Sequence, residues 1–319
     1  MAQDKAVVAV VSDKPELNVQ RLESAVSGAL QGKPEAVRLA VVALLAGGHV
    51  LVEDVPGVGK TTLAQAIARA LRLSFQRIQC TSDLLPADIV GVSIYRQASE
   101  EFEFIPGPIF ASVVLADEIN RSSPKTQSAL LEAMGERHVT VERQRHPLPR
   151  PFFLIATQNP HEFTGTFPLP ESQLDRFMVT IEIGYPSLDS ERELLSLNAE
   201  DLLAGVEPVL DGTQLEQLQQ RVRSVVVAEK LSNYILRIAA ATRSGGEFAL
   251  GVSTRGAQDL YRAVQAWALC EGRSFAIPDD VQTLAPAVLG HRVAVRGEVG
   301  AVAGRAAVNR VLRRLPVPI

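Results

Sequence analysis

Residues 53–62 constrain the fold more than any other stretch, because a glycine loop stands there between a strand-like and a helix-like segment. The segment reads Glu-Asp-Val-Pro-Gly-Val-Gly-Lys-Thr-Thr. An apolar run at 50–52 precedes it, and a helical pattern starts near Thr61. A strand, a glycine loop and a helix in this order form a phosphate cradle, since the loop N–H groups and the helix N-terminus attract an anion. The order therefore predicts binding of a nucleoside triphosphate.

The loop also supplies candidate cofactor-binding and metal-binding side chains. Lys60 is expected to reach the β- and γ-phosphates, and the Thr61 hydroxyl is expected to bind Mg²⁺. One position departs from the pattern G-x-x-x-x-G-K-[ST], because Asp54 stands where the first glycine is expected. An ordinary strand–helix turn with a chance Gly-Lys-Thr is the alternative. The other residues expected to surround the phosphates are Gly57, Val58, Gly59 and Thr62.

Length and composition bound the class of protein. A chain of 319 residues suggests two domains, and a hydrophobic fraction of 46% is ample for packed cores. The net charge of −4 argues against non-specific nucleic-acid binding as the main task. Cys80 and Cys270 form no spaced framework, which fits a reducing compartment. No run of about 18 apolar residues and no export leader is found, so a cytoplasmic location without membrane insertion is expected.

Hydrophobic periodicity divides the chain in two. Strand-like runs at 50–53, 74–79, 113–116, 152–156 and 179–183 are separated by helical patterns. This alternation predicts an α/β fold with a doubly wound, five-stranded parallel sheet. After Tyr185 and Pro186 the strand signals vanish and helical periodicity takes over. We therefore expect an α/β core over 1–186 and a small all-helical domain over 187–319.

Two acids follow the third predicted strand. Asp117 and Glu118 come directly after the apolar run at 113–116. The carboxyl edge of a parallel sheet is where ligands bind, so both carboxylates are expected beside the glycine loop. Asp117 is predicted to hold Mg²⁺, and Glu118 is predicted to polarise the attacking water. A buried strand that meets solvent at two acids is the alternative.

Three further polar residues stand at the ends of predicted elements. Asn159 follows the fourth strand and could align the water and contact the γ-phosphate, although Asn159-Pro160 could be a plain turn. Arg176 precedes the fifth strand and could neutralise charge on the transferred phosphoryl group, the alternative being an ion pair with Asp175. Arg255 starts a helix of the second domain. It could reach back to the nucleotide or remain solvated.

Seven blocks of sequence resemble those of the AAA+ ATPases and, within them, the MoxR family. The resemblance extends from about residue 20 to about residue 315. The blocks are 55–61 (Val-Pro-Gly-Val-Gly-Lys-Thr), 117–121 (Asp-Glu-Ile-Asn-Arg), 124–134 (Pro-Lys-Thr-Gln-Ser-Ala-Leu-Leu-Glu-Ala-Met), 156–160 (Ala-Thr-Gln-Asn-Pro), 170–177 (Pro-Glu-Ser-Gln-Leu-Asp-Arg-Phe), 277–281 (Ile-Pro-Asp-Asp-Val) and 291–292 (His-Arg). The family commonly carries an acid at the position of Asp54.

The resemblance implies a P-loop NTPase core of the αβα type followed by a helical lid. It also implies a ring, usually a hexamer, in which an arginine of one subunit acts on the nucleotide of its neighbour. Roles follow by position in the family's motifs. They are Walker A for Lys60 and Thr61, Walker B for Asp117 and Glu118, sensor 1 for Asn159, the arginine finger for Arg176 and sensor 2 for Arg255.

The implied activity is Mg²⁺-dependent hydrolysis of ATP at the β–γ bond, used to remodel, mature or activate partner proteins as a chaperone does. The clients of such proteins often carry a von Willebrand factor A domain. A nucleic-acid motor is the alternative, because related AAA+ proteins translocate DNA. The chain shows no helix-turn-helix, zinc ribbon or OB-like segment that would support it. A nucleotide-gated scaffold without hydrolysis is a third hypothesis, against which the complete set of site residues speaks.

Two insertions leave their roles open. Residues 86–108 separate the second and third strands by more than an ordinary loop. The resemblance implies an insert that projects toward a ring pore, and a packed surface hairpin is the alternative. Residues 138–150 carry several arginines and could form a hairpin that contacts a partner or a neighbouring subunit, or a solvated basic loop.

Overall fold

Helices and strands alternate through the first half of the chain, and helices dominate the second half. The structure is a computed structural model, and it describes residues 15–160, 165–195, 199–244, 246–298 and 300–318. The strands are β1 (Val50–Glu53), β2 (Phe75–Gln79), β3 (Gly91–Arg96), β4 (Glu101–Pro106), β5 (Val113–Asp117), β6 (His138–Val141), β7 (Gln144–Pro147), β8 (Phe153–Gln158), β9 (Val179–Ile181), β10 (Phe248–Leu250) and β11 (Ala294–Val295).

The helices are α1 (Pro15–Ala29), α2 (Pro34–Ala46), α3 (Lys60–Ala70), α4 (Pro86–Val90), α5 (Pro124–Glu136), α6 (Glu171–Leu174), α7 (Leu188–Leu194), α8 (Ala199–Ala204), α9 (Gly212–Arg223), α10 (Glu229–Ser244), α11 (Thr254–Cys270), α12 (Pro278–Leu289) and α13 (Ala301–Arg314). Short 3₁₀ turns occupy Pro108–Phe110, Ile119–Arg121 and Gly290–Arg292.

Five parallel strands form the central sheet in the order β2-β5-β8-β1-β9. Val50 of β1 lies opposite Ile155 of β8 on one side and Val179 of β9 on the other. The sheet thus places β1, which leads into the glycine loop, next to β8, and β8 next to β5, which ends in Asp117. The predicted five-stranded parallel sheet is confirmed.

Successive residues of the strands face opposite cores, as the pleat requires. Val50, Val113 and Ile155 pack with α1, α2 and α3 in one apolar cluster. Leu51 and Val114 pack with α4 and α5 in the other. The sheet is therefore covered on both faces, which makes the core an αβα sandwich and confirms the predicted fold class.

Local sequence signals set the start of the two helices that frame the site. Ser123 caps α5 through its hydroxyl, which accepts from Thr126 N at 3.3 Å, and Pro124 follows as the first helical residue. Ser253 caps α11 in the same way, accepting from Gly256 N at 2.9 Å. Both helices therefore begin at fixed positions, α5 just after the carboxyl end of β5 and α11 beside Asp175, which precedes β9.

The second half is mainly helical, but it is not all-helical as predicted. Phe248 of β10 lies opposite Val295 of β11 in a short antiparallel pair. The pair joins the segment that follows α10 to the segment that precedes α13. The helices of this lid pack on α2, and the apolar cluster that lines one face of the sheet continues into them without a break. The division at residue 186 therefore remains a prediction about domains, because no gap in the core marks it.

Both insertions form antiparallel hairpins. In the first, β3 pairs with β4 after the short helix α4. In the second, β6 pairs with β7. Phe104 of the first stacks on His146 of the second, with ring centroids 3.8 Å apart. The two insertions therefore stand side by side, and their roles in a ring or with a partner remain predictions.

The residues that the structure describes contain no membrane-spanning helix and no disulfide. No helix among them is long and apolar enough to cross a membrane. No group of three or more His, Cys, Asp or Glu side chains there could hold a metal ion by itself. Cys80 and Cys270 are both buried free thiols.

Candidate active site

The glycine loop joins β1 to α3 and has the backbone of a phosphate cradle. Gly57 and Gly59 have φ of 86° and 98°, which L-residues with side chains rarely adopt. A Cβ at Gly59 would also stand 2.6 Å from a methyl of Leu30. In the described chain no side chain caps the start of α3 at Gly59. The N–H groups of its first turn therefore remain able to bind an anion.

Asp54 explains why the first glycine of the general pattern is missing. Its carboxylate accepts hydrogen bonds from the backbone N–H of Ile183 at 2.7 Å, of Gly184 at 2.6 Å and of Val55 at 2.8 Å. The side chain is buried. Asp54 therefore ties the start of the glycine loop to the chain that leaves β9, so the departure from the pattern has a structural reason.

Lys60 lies within electrostatic range of the predicted acids. Its ammonium group donates to the carbonyl oxygen of Asp54 at 2.6 Å. Burial lowers the pKa of Lys60, and the charges of Asp117, Asp54 and Glu118 oppose that shift. A half-buried ammonium group close enough to the acids at the end of β5 to interact with their charge suits a Mg²⁺–triphosphate complex.

Asp117 ends β5, and its two oxygens are held from different sides. Thr157 of β8 donates its hydroxyl proton to Oδ1 at 2.6 Å. Arg77 of β2 donates to Oδ2 through Nη2 at 2.5 Å and through Nε at 3.2 Å. The carboxylate is therefore fixed by the two strands that flank β5.

Glu118 follows in a left-handed backbone conformation, with φ of 56°. Its N–H donates to the hydroxyl oxygen of Thr157 at 2.9 Å. Its carboxylate accepts from Arg121 at 2.9 Å and from Gln79 at 3.3 Å. A non-glycine residue at positive φ costs about 1–3 kcal/mol, and such strain often marks a functional site.

The other predicted residues beside the glycine loop lie along the same carboxyl edge of the sheet. Thr61 and Thr62 are half-buried in the first turn of α3, and Val58 is buried in the loop. Asn159 is half-buried directly after β8. Its neighbour Gln158 donates to the carboxylate of Glu53 at 2.6 Å, which links the ends of β8 and β1.

The two predicted arginines lie on other elements. Arg176 follows α6 and donates to the carbonyl oxygen of Leu131 in α5 at 2.6 Å. A Cβ on Gly135 of α5 would stand 2.5 Å from the same guanidinium nitrogen, so that glycine makes room for Arg176. Arg255 is exposed in the first turn of α11. The described hydrogen bond of Arg176 is therefore made on α5, apart from the glycine loop.

Sequence reasoning missed the side chains that hold the predicted ones in place. Arg77, Gln79 and Thr157 touch the two acids, and Arg292 binds Asp175 beside Arg176. Thr157 and Arg292 stand in the blocks 156–160 and 291–292 that carry the resemblance, but those blocks gave them no role, and the signal for the other two was weak. Arg77 and Gln79 are polar residues two apart in a strand, which points them to one face of the sheet.

Comparisons with known proteins agree with this geometry. Residues 49–179 match the family described as ATPase family associated with various cellular activities (AAA), and residues 240–310 match the AAA lid domain. A solved protein from Cytophaga hutchinsonii, described as a candidate ATPase, superposes with a TM-score of 0.85 at 33% identity. The superposition covers 96% of each chain.

Curated relatives extend over nearly the whole chain. The uncharacterized protein YeaC of Bacillus subtilis is 47% identical over 90% of this chain and 91% of its own length. Chaperone MoxR1 of Mycobacterium tuberculosis is 41% identical over 90% and 79%. Protein MoxR of Paracoccus denitrificans is 32% identical over 85% and 87%. With this sequence similarity, the matching core and lid, and the glycine loop beside two acids, the chain belongs to the MoxR family of AAA+ ATPases.

Proposed function

We propose that this protein is a Mg²⁺-dependent ATPase that works in a ring and uses hydrolysis to remodel or activate a partner protein. One observation carries the catalytic part. Lys60 follows β1 and Asp117 ends β5, and in this parallel sheet only β8 separates these two strands, so the glycine loop and both acids lie at the same carboxyl edge. This supports a single pocket for ATP, to which the glycine loop brings N–H donors and β5 brings carboxylates.

Different residues at the carboxyl edge of the sheet would bind the phosphates and the metal ion. The N–H groups at Gly57, Val58, Gly59 and the start of α3 would bind the phosphates, and Lys60 would reach the β- and γ-phosphates. Thr61 and Asp117 are the oxygen ligands that suit Mg²⁺. The ion, when bound, would neutralise charge on the phosphates. The side-chain oxygens at this edge and the uncapped start of α3 fit both groups.

Glu118 is the proposed base. Its carboxylate would orient and polarise the attacking water, while Asn159 would align that water with the γ-phosphate. Thr157 supports Glu118 by accepting its N–H, and it donates to Asp117 from the same hydroxyl. One side chain of β8 therefore sets the spacing between the proposed metal ligand and the proposed base.

Replacing Glu118 with Gln tests the catalytic proposal. The variant should bind a fluorescent ATP analogue as the wild type does and should lose turnover. Glu207→Gln, which changes an exposed acid in a loop, is the control and should keep both properties. Unchanged turnover in the Glu118 variant would remove Glu118 from the mechanism.

The proposed ring rests on the expected roles of the two arginines. Arg176 makes its described hydrogen bond with α5, which supports a role toward a neighbouring subunit's nucleotide. Arg255 would contact the nucleotide of its own subunit from the lid. If Arg176 acts in trans, a mixture of Arg176→Ala and Glu118→Gln subunits should regain ATPase activity that neither has alone. Mixed rings without any recovery would contradict the proposal, and a hexamer is the expected size.

The output is proposed to be mechanical. The relative from Mycobacterium tuberculosis is named Chaperone MoxR1, and we infer a chaperone-like action on a partner protein for this chain. A cytoplasmic protein with a von Willebrand factor A domain is the proposed client. The Glu118→Gln form, held with ATP, should retain such a client in affinity capture. Recovery of nucleic acid alone, with ATPase activity stimulated by DNA or RNA, would favour the motor hypothesis instead.

A further inference from the structure

Arg292 joins the lid to the segment that carries Arg176. It ends the 3₁₀ turn after α12, and its side chain has no exposed surface. The guanidinium donates five hydrogen bonds, which use every N–H of an arginine side chain. A buried guanidinium with this many partners holds them in one arrangement, because any lost partner leaves a buried charge unsatisfied.

Its partners come from three elements. Toward the core, Nε donates to Asp175 Oδ1 at 3.1 Å, and Nη2 donates to the carbonyl oxygen of Asp175 at 3.0 Å. Nη1 donates to the carbonyl oxygens of Met178 at 3.2 Å and Val288 at 2.8 Å. Toward α11, Nη2 donates to the carboxylate of Asp259. Arg292 therefore spans α12, α11 and the chain between α6 and β9.

The neighbours of Arg292 strengthen the same junction. His291 shares a hydrogen bond of 2.9 Å with the carbonyl oxygen of Phe177. The hydroxyl of Ser253, which caps α11, donates to the carboxylate of Asp175 at 2.8 Å. Residues 175–178 are therefore held by the lid at Asp175, at Phe177 and at Met178. Two further ion pairs join lid and core among the described residues, Arg38 with Glu271 and Arg305 with Glu182, and both are more exposed than Arg292 with Asp175.

An arginine with a proposed role in hydrolysis lies next to this junction in the core, and another lies next to it in the lid. Arg176 lies directly after Asp175, and Arg255 lies two residues after Ser253. Arg255 is near enough to Asp259 for its charge to lower the pKa of that carboxyl, against the larger effect of burial, which raises it. One hydrogen-bonded network thus connects the chain around Arg176 with the helix start that carries Arg255.

We propose that Arg292 is a positioning residue that couples the lid to Arg176. A shift of α11, set by the nucleotide through Arg255, would be passed through Asp259, Arg292 and Asp175 to the arginine that serves the neighbouring subunit. This inference rests on the proposed function, since it assigns the coupling between nucleotide sites of the ring. Lysine cannot replace Arg292, because an ammonium group has fewer donors and no planar fork.

A double-mutant comparison tests the coupling. Arg292→Lys should bind the fluorescent ATP analogue normally, while kcat falls toward that of Arg176→Ala, on the scale of the about 10²-fold loss that a misplaced group can cause. If Arg292 acts through Arg176, the double variant should be no slower than Arg176→Ala alone. Losses that multiply would overturn the inference.

The matched control and a second variant keep the test decisive. Arg273→Lys weakens a similar paired arginine, bound to Asp280 at 2.6 Å within the lid, and should leave kcat unchanged. Should Arg292→Lys fail to fold, as thermal unfolding would show, Asp259→Asn takes its place in the same comparison, because it keeps an oxygen acceptor and removes the charge. The same expected and contradicting outcomes apply to it.

Hydrogen exchange on the wild type separates this inference from the proposed function. Binding of a non-hydrolysable ATP analogue should change exchange at residues 252–260 and also at residues 175–178. A change at the first segment without one at the second would overturn the coupling even in an active ATPase. A wild type without turnover would instead contradict the proposed function, while the exchange result still decides whether the two segments are linked.

Discussion

Arg77 donates two hydrogen bonds to a single oxygen of Asp117, through Nη2 at 2.5 Å and Nε at 3.2 Å. That oxygen, Oδ2, belongs to the carboxylate that we assign to Mg²⁺. A guanidinium at this place competes with any cation for the same negative charge. The ion pair is half-exposed on the arginine side, with 48% of the Arg77 side chain accessible, so solvent weakens it.

Replacing Arg77 with Gln should therefore tighten Mg²⁺ binding. The Mg²⁺ concentration at half-saturation should fall by up to about fivefold, because exposed ion pairs contribute about 0.2–1 kcal/mol. Titration of Mg²⁺ into the protein with a fluorescent ATP analogue measures this without turnover. Arg96→Gln, which removes an exposed ion pair with Glu103, is the control. A half-saturating Mg²⁺ concentration that rises in Arg77→Gln, or that falls only in the control, would contradict the competition.

Replacing Asp54 with Gly restores the general pattern but should destabilise this protein. The variant leaves the N–H groups of Ile183 and Gly184 without the carboxylate that now accepts them. We expect the free energy of unfolding to fall by about 2–4 kcal/mol, since a hydrogen bond to a charged group contributes about 1.5–3 kcal/mol. Chemical unfolding measures the loss.

Asp54→Asn is the informative comparison for that prediction. The amide keeps one acceptor oxygen and loses the charge. The free energy of unfolding of Asp54→Asn should therefore lie between those of the wild type and Asp54→Gly. A glycine variant as stable as the wild type would show that the link between the loop and the end of β9 does not hold the fold.

Substitution by valine should have different effects on stability at two buried threonines of the same sheet. Thr157 donates to Asp117 at 2.6 Å and accepts from Glu118 at 2.9 Å. Thr180 is equally buried, but its hydroxyl finds no partner among the described residues. Thr157→Val should lower the free energy of unfolding by about 1–3 kcal/mol and also lower kcat, because two partners lose their hydrogen bonds.

Thr180→Val should be neutral or stabilising, because it removes a buried polar atom that has no partner in the described structure. Thermal unfolding and ATPase rates of both variants, measured side by side, check the pair. Equal losses for the two substitutions would mean that burial alone, and not the contact with the acids, sets the effect of Thr157.

The parts of the site that could be predicted are those in which a short motif determines local geometry. The run from Val50 to Thr62 specifies a strand, a glycine turn and a helix start within its own residues, and the acids at 117–118 follow directly from the strand before them. The two positive-φ glycines of the loop belong to the same class, because the backbone conformation requires that residue type locally.

The parts that could not be predicted depend on contacts between distant segments. Arg77 meets Asp117 only because β2 pairs with β5 in the register that places Gln79 opposite Asp117. Arg292 meets Asp175 across 117 residues of sequence. The pair of β10 and β11 was missed for another reason. The strands have three and two residues, which is too short for an alternating pattern to appear.

Buried histidine makes the stability of this protein sensitive to acid. Burial lowers the pKa of His291 from 6.5 to about 3, and the nearby charge of Arg292 acts in the same direction. The unfolded chain binds a proton near pH 6.5, while the folded protein excludes it until about pH 3. The contribution of His291 is therefore complete above pH 6.5 and is lost progressively as the pH falls toward 3.

His291→Gln should remove this dependence, because an amide can still donate to the carbonyl oxygen of Phe177 and does not titrate. The stability difference between wild type and variant should be about 2 kcal/mol smaller at pH 5 than at pH 8, since each pH unit below the unfolded pKa is worth about 1.4 kcal/mol. Urea unfolding at the two pH values measures it.

His49 offers an independent repeat in the α/β core. Burial lowers its pKa to about 4, and its ring nitrogen accepts from the N–H of Leu154 at 3.0 Å. For His49→Gln, the stability difference between wild type and variant should also be smaller at pH 5 than at pH 8, by a similar amount. The reason is that both histidines are neutral in the folded protein at pH 5. A gap that stays the same at pH 8 and pH 5 for both variants would mean that neither imidazole is kept neutral by burial, and that carboxylates alone cause the loss of stability in acid.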